Sequence, residues 1–125
     1  MPEHVDHVPV SVLHHVVWQV VDDGPAIHER LLRQVANLLA DLAGEGVDVE
    51  VVAHGAGLDL LLPGGPNAEL VRDLQGRGAA FLACENTLRS RELEVRDLLA
   101  DVRAVPSGVA AIVRRQSQGW SYLRA

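Results

Sequence analysis

The sequence predicts an α/β fold, a three-layer α/β/α sandwich with a mostly parallel five-stranded sheet. Short apolar segments, the first of them rich in β-branched residues, alternate with longer segments whose apolar residues recur at helical spacing. Their order, βαβαβαβαβ, is typical of a parallel sheet with right-handed crossovers and helices on both faces. The chain has 125 residues and is 48% hydrophobic, enough for one domain with a buried core. We expect an N-terminal tail over residues 1–12 and a single domain over residues 13–125.

The first strand is predicted from His14 to Val21, because this segment is apolar on both faces, as in a strand buried inside a parallel sheet. The sequence Asp22-Asp23-Gly24-Pro25 then predicts a turn. After the turn, apolar residues at helical spacing predict the first helix, which Gly44 and Gly46 are expected to end. These apolar residues are Ile27, Leu31, Leu32, Val35, Leu38, Leu39 and Leu42.

The second strand is predicted over Val47–Ala53, and a glycine-bearing turn, His54-Gly55-Ala56-Gly57, follows it. The next segment is a leucine cluster that is too short and irregular for a core helix. Either it packs against a neighbouring subunit, because exposed it would favour aggregation, or it folds back onto its own domain. The leucines of this cluster are Leu58, Leu60, Leu61 and Leu62.

The second half of the chain continues the alternation of helices and strands. Ser107 is a typical N-cap for the helix that follows it, and Gly119 is expected to end that helix. Pro106 cannot extend a strand inside a sheet. The predicted elements are a helix over Ala68–Gln75, a strand over Ala79–Ala83, one or two helical pieces over Asn86–Ala100, a strand over Val102–Val105, the helix after Ser107, and an edge strand over Trp120–Leu123.

Composition and charge exclude several classes of partner. The chain carries 17 acidic and 11 basic residues, a net charge of −6, so a phosphate backbone would repel it and no nucleic-acid partner is expected. No apolar run reaches the roughly 18 residues that span a bilayer, so no membrane partner is expected. The N-terminus lacks the pattern of a signal peptide, and a single cysteine forms no internal disulfide. The expected location is the cytoplasm.

The carboxyl ends of parallel strands form one rim of a sheet, and ligands bind beyond that rim in open α/β folds. Cys84 stands where the third strand passes into a helix, so the free N–H groups of the helix would favour its thiolate, the nucleophilic form. The other interpretation of Cys84 is a small hydrophobic residue in a strand. His54 ends the second strand, either as a base or hydrogen-bond donor near Cys84 or as a histidine satisfied at a strand end.

The residues required for metal binding, nucleotide binding and dithiol redox chemistry are missing from the sequence. His4 and His7 stand without a third spaced ligand, so no metal site is expected. The turn at Gly55 and Gly57 lacks the third glycine of the dinucleotide fingerprint, and the chain has no lysine for a phosphate-binding loop. A second cysteine for a dithiol cycle is also absent, so no cofactor is expected.

Three segments in order carry a resemblance to a known family: residues 51–55 (VVAHG), residues 81–88 (FLACENTL) and residues 105–110 (VPSGVA). On these segments the chain resembles the DsrE/DsrF-like family of small sulfur-relay proteins. The resemblance implies the same three-layer fold and assembly into homotrimers or homohexamers. It implies that Cys84 accepts a sulfane sulfur as a persulfide, and that His54, Asn86 and Thr87 line the same pocket.

Two functional hypotheses follow. In the first, the protein is a sulfur relay in which Cys84 takes sulfur from a donor protein and passes it to an acceptor protein. In the second, it is a non-catalytic oligomeric module that binds a small molecule or anion. The backbone of Gly55, Gly57 and Ser107 would then supply the loop donors, with Cys84 as a lining residue.

Overall fold

The computed structural model of the protein describes residues 14–125. The predicted tail, with His4 and His7, lies outside the described residues. The sheet has five strands in the order β4-β3-β2-β1-β5, and every neighbouring pair is parallel. The predicted α/β fold is therefore confirmed. The strands are β1 His14–Val20, β2 Val47–Ala53, β3 Ala80–Cys84, β4 Arg103–Val105 and β5 Ser121–Arg124.

The helices follow the predicted alternation closely. The segment predicted as one or two helical pieces forms two, an α-helix and a 3₁₀ turn. Ser107 caps the last helix as expected, because its Oγ accepts a hydrogen bond from the N–H of Ala110 at 3.2 Å. The helices are α1 Pro25–Asp41, α2 Ala68–Gly76, α3 Glu85–Ser90 and α4 Gly108–Ser117, with 3₁₀ segments at Gly55–Leu61 and Val95–Asp97.

The two faces of the sheet are covered unequally. Helices α1 and α2 lie over one face, where Val20, Leu32 and Phe81 belong to the larger core. Strand β5 lies on the opposite side of β1 from β2, so the crossover through α4 runs back across the sheet and covers the other face. The core on that face is small and consists of Val17, Val52, Leu82 and Ile112.

Helix α4 is held at its C-terminal end by a charged cluster. Arg115 donates to both carboxylate oxygens of Glu50, with Nε to Oε1 at 2.9 Å. Its guanidinium also lies 4.2 Å from the centre of the Trp120 ring, a cation–π contact. Because Glu50 is buried in β2, this double contact compensates its loss of hydration and ties α4 to the middle of the sheet.

The leucine cluster folds back onto its own domain. Leu58, Leu60 and Leu61 are only 0%, 3% and 0% exposed, and Leu62 packs partly buried against the same core. The alternative expectation, contact with a neighbouring subunit, is therefore wrong for Leu58, Leu60 and Leu61. The physical reason is the 3₁₀ segment Gly55–Leu61, whose tight turns direct the leucines inward beneath the rim of the sheet.

Gly57 makes this packing possible. A Cβ atom at Gly57 would lie 2.2 Å from the carbonyl oxygen of Val20, so no other residue fits where the 3₁₀ segment crosses the end of β1.

Within residues 14–125, no helix is both long and apolar enough to span a bilayer.

Candidate functional site

Three residues from distant parts of the chain meet at the carboxyl end of the sheet. Ala53 of β2 pairs with Ala83 of β3, so His54 and Cys84 follow side by side. Gly108, the first residue of α4, lies between them. A Cβ atom at Gly108 would lie 3.1 Å from Cβ of His54 and 3.2 Å from Cβ of Cys84. A glycine at this position thus lets the start of α4 approach both side chains closely.

Cys84 is buried, with only 5% of its surface exposed, but the groups around its sulfur are polar. Burial raises the pKa of the Cys84 thiol. Hydrogen bonds from the backbone of Gly108, from the backbone and hydroxyl of Thr87 and from the backbone of Asn86 lower it. These hydrogen bonds together outweigh burial, so the pKa of the thiol lies below its ordinary value. The site therefore favours the thiolate, the reactive form of cysteine.

Thr87 connects the sulfur to the loop after β2. Its Oγ1 accepts a hydrogen bond from the N–H of Gly55 at 2.9 Å, which leaves the hydroxyl proton free to donate to Cys84. Gly55 adopts a φ of 58°, a left-handed conformation that glycine tolerates best. The turn after β2 and the first turn of α3 thus form one hydrogen-bonded unit around the thiol.

His54 lies beside Cys84, but its ring nitrogen Nε2 contacts a different residue. Nε2 lies 2.9 Å from Nε2 of Gln19 on β1, and Oε1 of Gln19 accepts a hydrogen bond from the hydroxyl of Tyr122 on β5. Burial lowers the pKa of His54, so the neutral imidazole is favoured. Neither Gln19 nor Tyr122 was a candidate from sequence. The available signal was Gln19 itself, a lone amide in a strand that is otherwise apolar around it.

Three predicted binding residues have other roles in the structure. The side chain of Asn86 is exposed and accepts a hydrogen bond from Arg89, so Asn86 contributes to the thiol through its backbone alone. The hydroxyl of Ser107 is used as the cap of α4. Gly57 is required by the close contact with β1. Gly108 was missed as a site residue, although the Ser-Gly pair at a helix start indicates exposed N–H groups.

A cleft of about 400 Å³ opens beside the thiol site. Thr87 and Gly55 belong both to the cleft wall and to the hydrogen-bonded unit around Cys84. Arg91 spans the cleft wall through an ion pair with Asp59 at 2.8 Å. The residues lining the cleft are Asp23, Gly55, Ala56, Asp59, Thr87, Ser90 and Arg91. Two carboxylates against one guanidinium make the cleft a poor site for an anion.

Side chains that could bind a metal ion do not cluster in the described part of the chain. No group of three or more histidine, cysteine, aspartate or glutamate side chains there could hold a metal ion. The expectation concerning His4 and His7 lies outside the described residues.

Known proteins similar to this chain point to one family. The sequence model of the DsrE/DsrF-like family matches residues 16–125. A protein of unknown function from Methanobacterium thermoautotrophicum, MTH1491, is 41% identical, with a TM-score of 0.85 over 90% of this chain and 99% of that chain. The YchN protein of E. coli shares the fold alone, at 12% identity and a TM-score of 0.69, over 92% of this chain and 100% of its own. No curated protein matches significantly. Because the family model matches residues 16–125, nearly the whole chain, this chain belongs to the DsrE/DsrF-like family.

Proposed function

We propose that the protein is a sulfur relay that carries sulfane sulfur on Cys84. The observation that carries the proposal is the set of hydrogen-bond donors around a buried thiol, which come from the first turns of α3 and α4 and lower the pKa of Cys84. Burial alone would have raised it. Such donors stabilise an anion on sulfur, which is the state that both steps of a sulfur transfer require.

The chemistry needs no oxidant or reductant besides the donor. The Cys84 thiolate attacks the terminal sulfur of a donor persulfide, R–S–SH, so that a new S–S bond forms on Cys84 while the donor's S–S bond breaks. The donor leaves as the thiolate R–S⁻. An acceptor thiolate then attacks the terminal sulfur on Cys84, becomes the persulfide, and restores the Cys84 thiolate. With one cysteine in the chain, the acceptor thiol comes from another molecule.

Thr87 offers the route to the buried sulfur. It lines the cleft on one side and donates to Cys84 on the other, so a donor or acceptor protein that docks at the cleft approaches the thiol past this side chain. Such a free thiol fits a reducing compartment, which agrees with the cytoplasmic location expected from sequence.

Intact mass spectrometry tests the relay directly. The protein is incubated with a polysulfide, freed of excess donor and weighed. Wild type is expected to gain mass in steps of one sulfur atom, and a thiol reductant is expected to remove the gain. The Cys84→Ser variant keeps the size and polarity of the site and is expected to gain nothing. Equal spectra for both proteins would overturn the proposal.

A binding module is the second candidate function, and the 5% exposure of Cys84 favours it. In that function the cleft beside Thr87 binds a small neutral or cationic molecule and the thiol only supports the wall. The rate of alkylation of Cys84 against pH separates the two functions. A thiol that reacts with an ordinary pKa, or does not react, supports the binding module, whereas a thiol that reacts with a lowered pKa supports the relay.

Assembly into a homotrimer or homohexamer is part of the proposal, with α4 as the contact surface in place of the leucine cluster. Val109 and Val113 stand one turn apart on α4 and are 57% and 55% exposed in the single protomer. Light scattering after chromatography tests this. Val113→Asp is expected to yield the smaller species, and Val95→Asp, a change of an exposed valine outside α4, is the matched control. An unchanged mass for Val113→Asp would exclude α4 as the contact.

A further inference from the structure

A chain of side-chain hydrogen bonds joins the last strand to the thiol site. Gln19 is half-buried on β1, and β5 pairs with β1 so that Tyr122 stands opposite Val17, on the same face of the sheet as Gln19. Tyr122 contacts Oε1 of Gln19, and Nε2 of Gln19 contacts Nε2 of His54 at 2.9 Å. Strands β5 and β1 thus contribute one residue each to a line that ends at His54, the residue directly after β2 and the neighbour of Cys84.

The donors and acceptors along this line determine where the His54 proton lies. A phenol donates its proton to the amide oxygen of Gln19, and the amide nitrogen then points away from Tyr122. That nitrogen is a donor only, so Nε2 of His54 has to be the acceptor. A neutral imidazole that accepts at Nε2 carries its proton on Nδ1.

We propose that Gln19 and Tyr122 are positioning residues that act through His54, holding its imidazole neutral, protonated on Nδ1, and with Nε2 directed away from Cys84. The strand order supports the direction, because β2 lies between β1, which carries Gln19, and β3, which carries Cys84. His54 therefore does not use Nε2 to take the proton of Cys84. The thiolate depends instead on the hydrogen bonds from Gly108, Thr87 and Asn86.

Protonation of His54 is opposed by the same line of residues. An imidazolium has donors at both nitrogens, so Nε2–H would meet the amide N–H of Gln19. To accept from Nε2–H, the Gln19 amide has to rotate by half a turn. Its N–H group then faces Tyr122, whose hydroxyl has to accept a hydrogen bond instead of donating one. The titratable groups beside His54 are Cys84 on β3 and, through Gln19, Tyr122 on β5, and α4 contributes the backbone of Gly108.

The chemical purpose of this arrangement rests on the proposed function, but the geometry does not. In a relay, a fixed neutral imidazole prevents the neighbouring ring from returning a proton to the thiolate before the sulfur donor arrives. The tautomer itself is measurable without any sulfur compound.

Nitrogen-15 NMR of protein labelled on histidine tests the inference. In wild type, His54 is expected to show the signals of the Nδ1–H tautomer. Gln19→Glu has nearly the same size but presents acceptor oxygens only. This variant is expected to move the proton to Nε2 and to raise the His54 pKa by about one unit. Tyr122→Phe keeps Gln19 but frees its amide to rotate, and a mixture of tautomers is expected.

His28 is the internal control in the same spectra. It is buried, and its Nε2 contacts the backbone carbonyl of Asp22, so its signals are expected to stay unchanged in every variant that folds. A wild-type His54 proton on Nε2 would overturn the inference. So would a Gln19→Glu protein with normal His28 signals and an unchanged His54 tautomer.

The mass test and the NMR spectra can fail independently of each other, so this inference and the proposed function are distinguishable. If the relay fails its mass test while His54 keeps the Nδ1 proton, the proposed function falls and the positioning role stands. If sulfur loading succeeds while His54 carries its proton on Nε2, the relay stands and the positioning role falls.

Discussion

Replacing Thr87 by valine removes one hydroxyl from between Gly55 and Cys84 while keeping the branched shape of the side chain. The hydroxyl accepts from Gly55 at 2.9 Å and donates to the thiol, so the substitution takes a donor from the thiolate and an acceptor from the loop. A hydrogen bond to a charged group contributes about 1.5–3 kcal/mol, and one pKa unit corresponds to about 1.36 kcal/mol. The pKa of Cys84 is therefore expected to rise by about one to two units.

The assay is the rate of iodoacetamide alkylation of native protein as a function of pH, with Thr87→Ser as the matched control that keeps the hydroxyl. Thr87→Ser is expected to follow wild type, whereas Thr87→Val is expected to shift the midpoint upward. A Thr87→Val midpoint equal to that of wild type would refute the assignment of Thr87 as a donor to the sulfur.

The free energy of unfolding is expected to depend on the ionisation of the Cys84 thiol. The folded-state pKa of Cys84 is depressed, so the ionised thiol adds to the free energy of unfolding at pH values above its ordinary pKa. This contribution is lost as the pH falls through the folded-state pKa. Urea unfolding is therefore expected to show wild type gaining stability as the pH rises through that window, with a smaller gain for Thr87→Val.

Three further substitutions test the packing of the site. Gly108→Ala introduces a Cβ atom 3.1 Å from Cβ of His54, which is expected to lower the free energy of unfolding in urea by about 1–3 kcal/mol. The control is Gly76→Ala, whose Cβ atom meets nothing within 4 Å and which is expected not to destabilise the protein. Gly57→Ala places a Cβ atom 2.2 Å from a backbone oxygen of β1. The free energy of unfolding is expected to fall by more than about 3 kcal/mol, or the variant to fail to fold. A melting temperature near that of wild type would contradict this packing. Leu58→Ala removes a side chain that is 0% exposed and is expected to cost about 2–5 kcal/mol, and a loss below about 1 kcal/mol would mean that the leucine is not a core residue.

Much of the fold was predictable because its signals are local. Short apolar segments between turn signals marked the strands to within a residue or two, as at the valine-rich β2, which spans the predicted Val47–Ala53. Ser107 was predicted as a cap because side-chain capping depends on neighbours in sequence. The leucine cluster was ambiguous because apolar residues in a 3₁₀ segment show no regular spacing that could be recognised in the sequence. Only the contact of Gly57 with β1 determines that the segment packs against the core.

The site was predictable only in part, because its chemistry depends on neighbours from distant segments. Cys84 stood out from its place at the end of a strand, and the position of His54 beside it follows from the register of β2 and β3. Periodicity gives no strand order, however, so the approach of Gly108 and the line from Tyr122 to His54 could not be found. Both depend on β5 lying next to β1.

The position of Gly108 between His54 and Cys84 also has a consequence for the order of events during synthesis. Cys84 leaves the ribosome before α4 exists, and at that moment its sulfur lacks the amide of Gly108. A nascent chain thus carries a thiol without its full set of hydrogen-bond donors. The complete set, and with it the lowered pKa of Cys84, exists only after the C-terminal segment has docked.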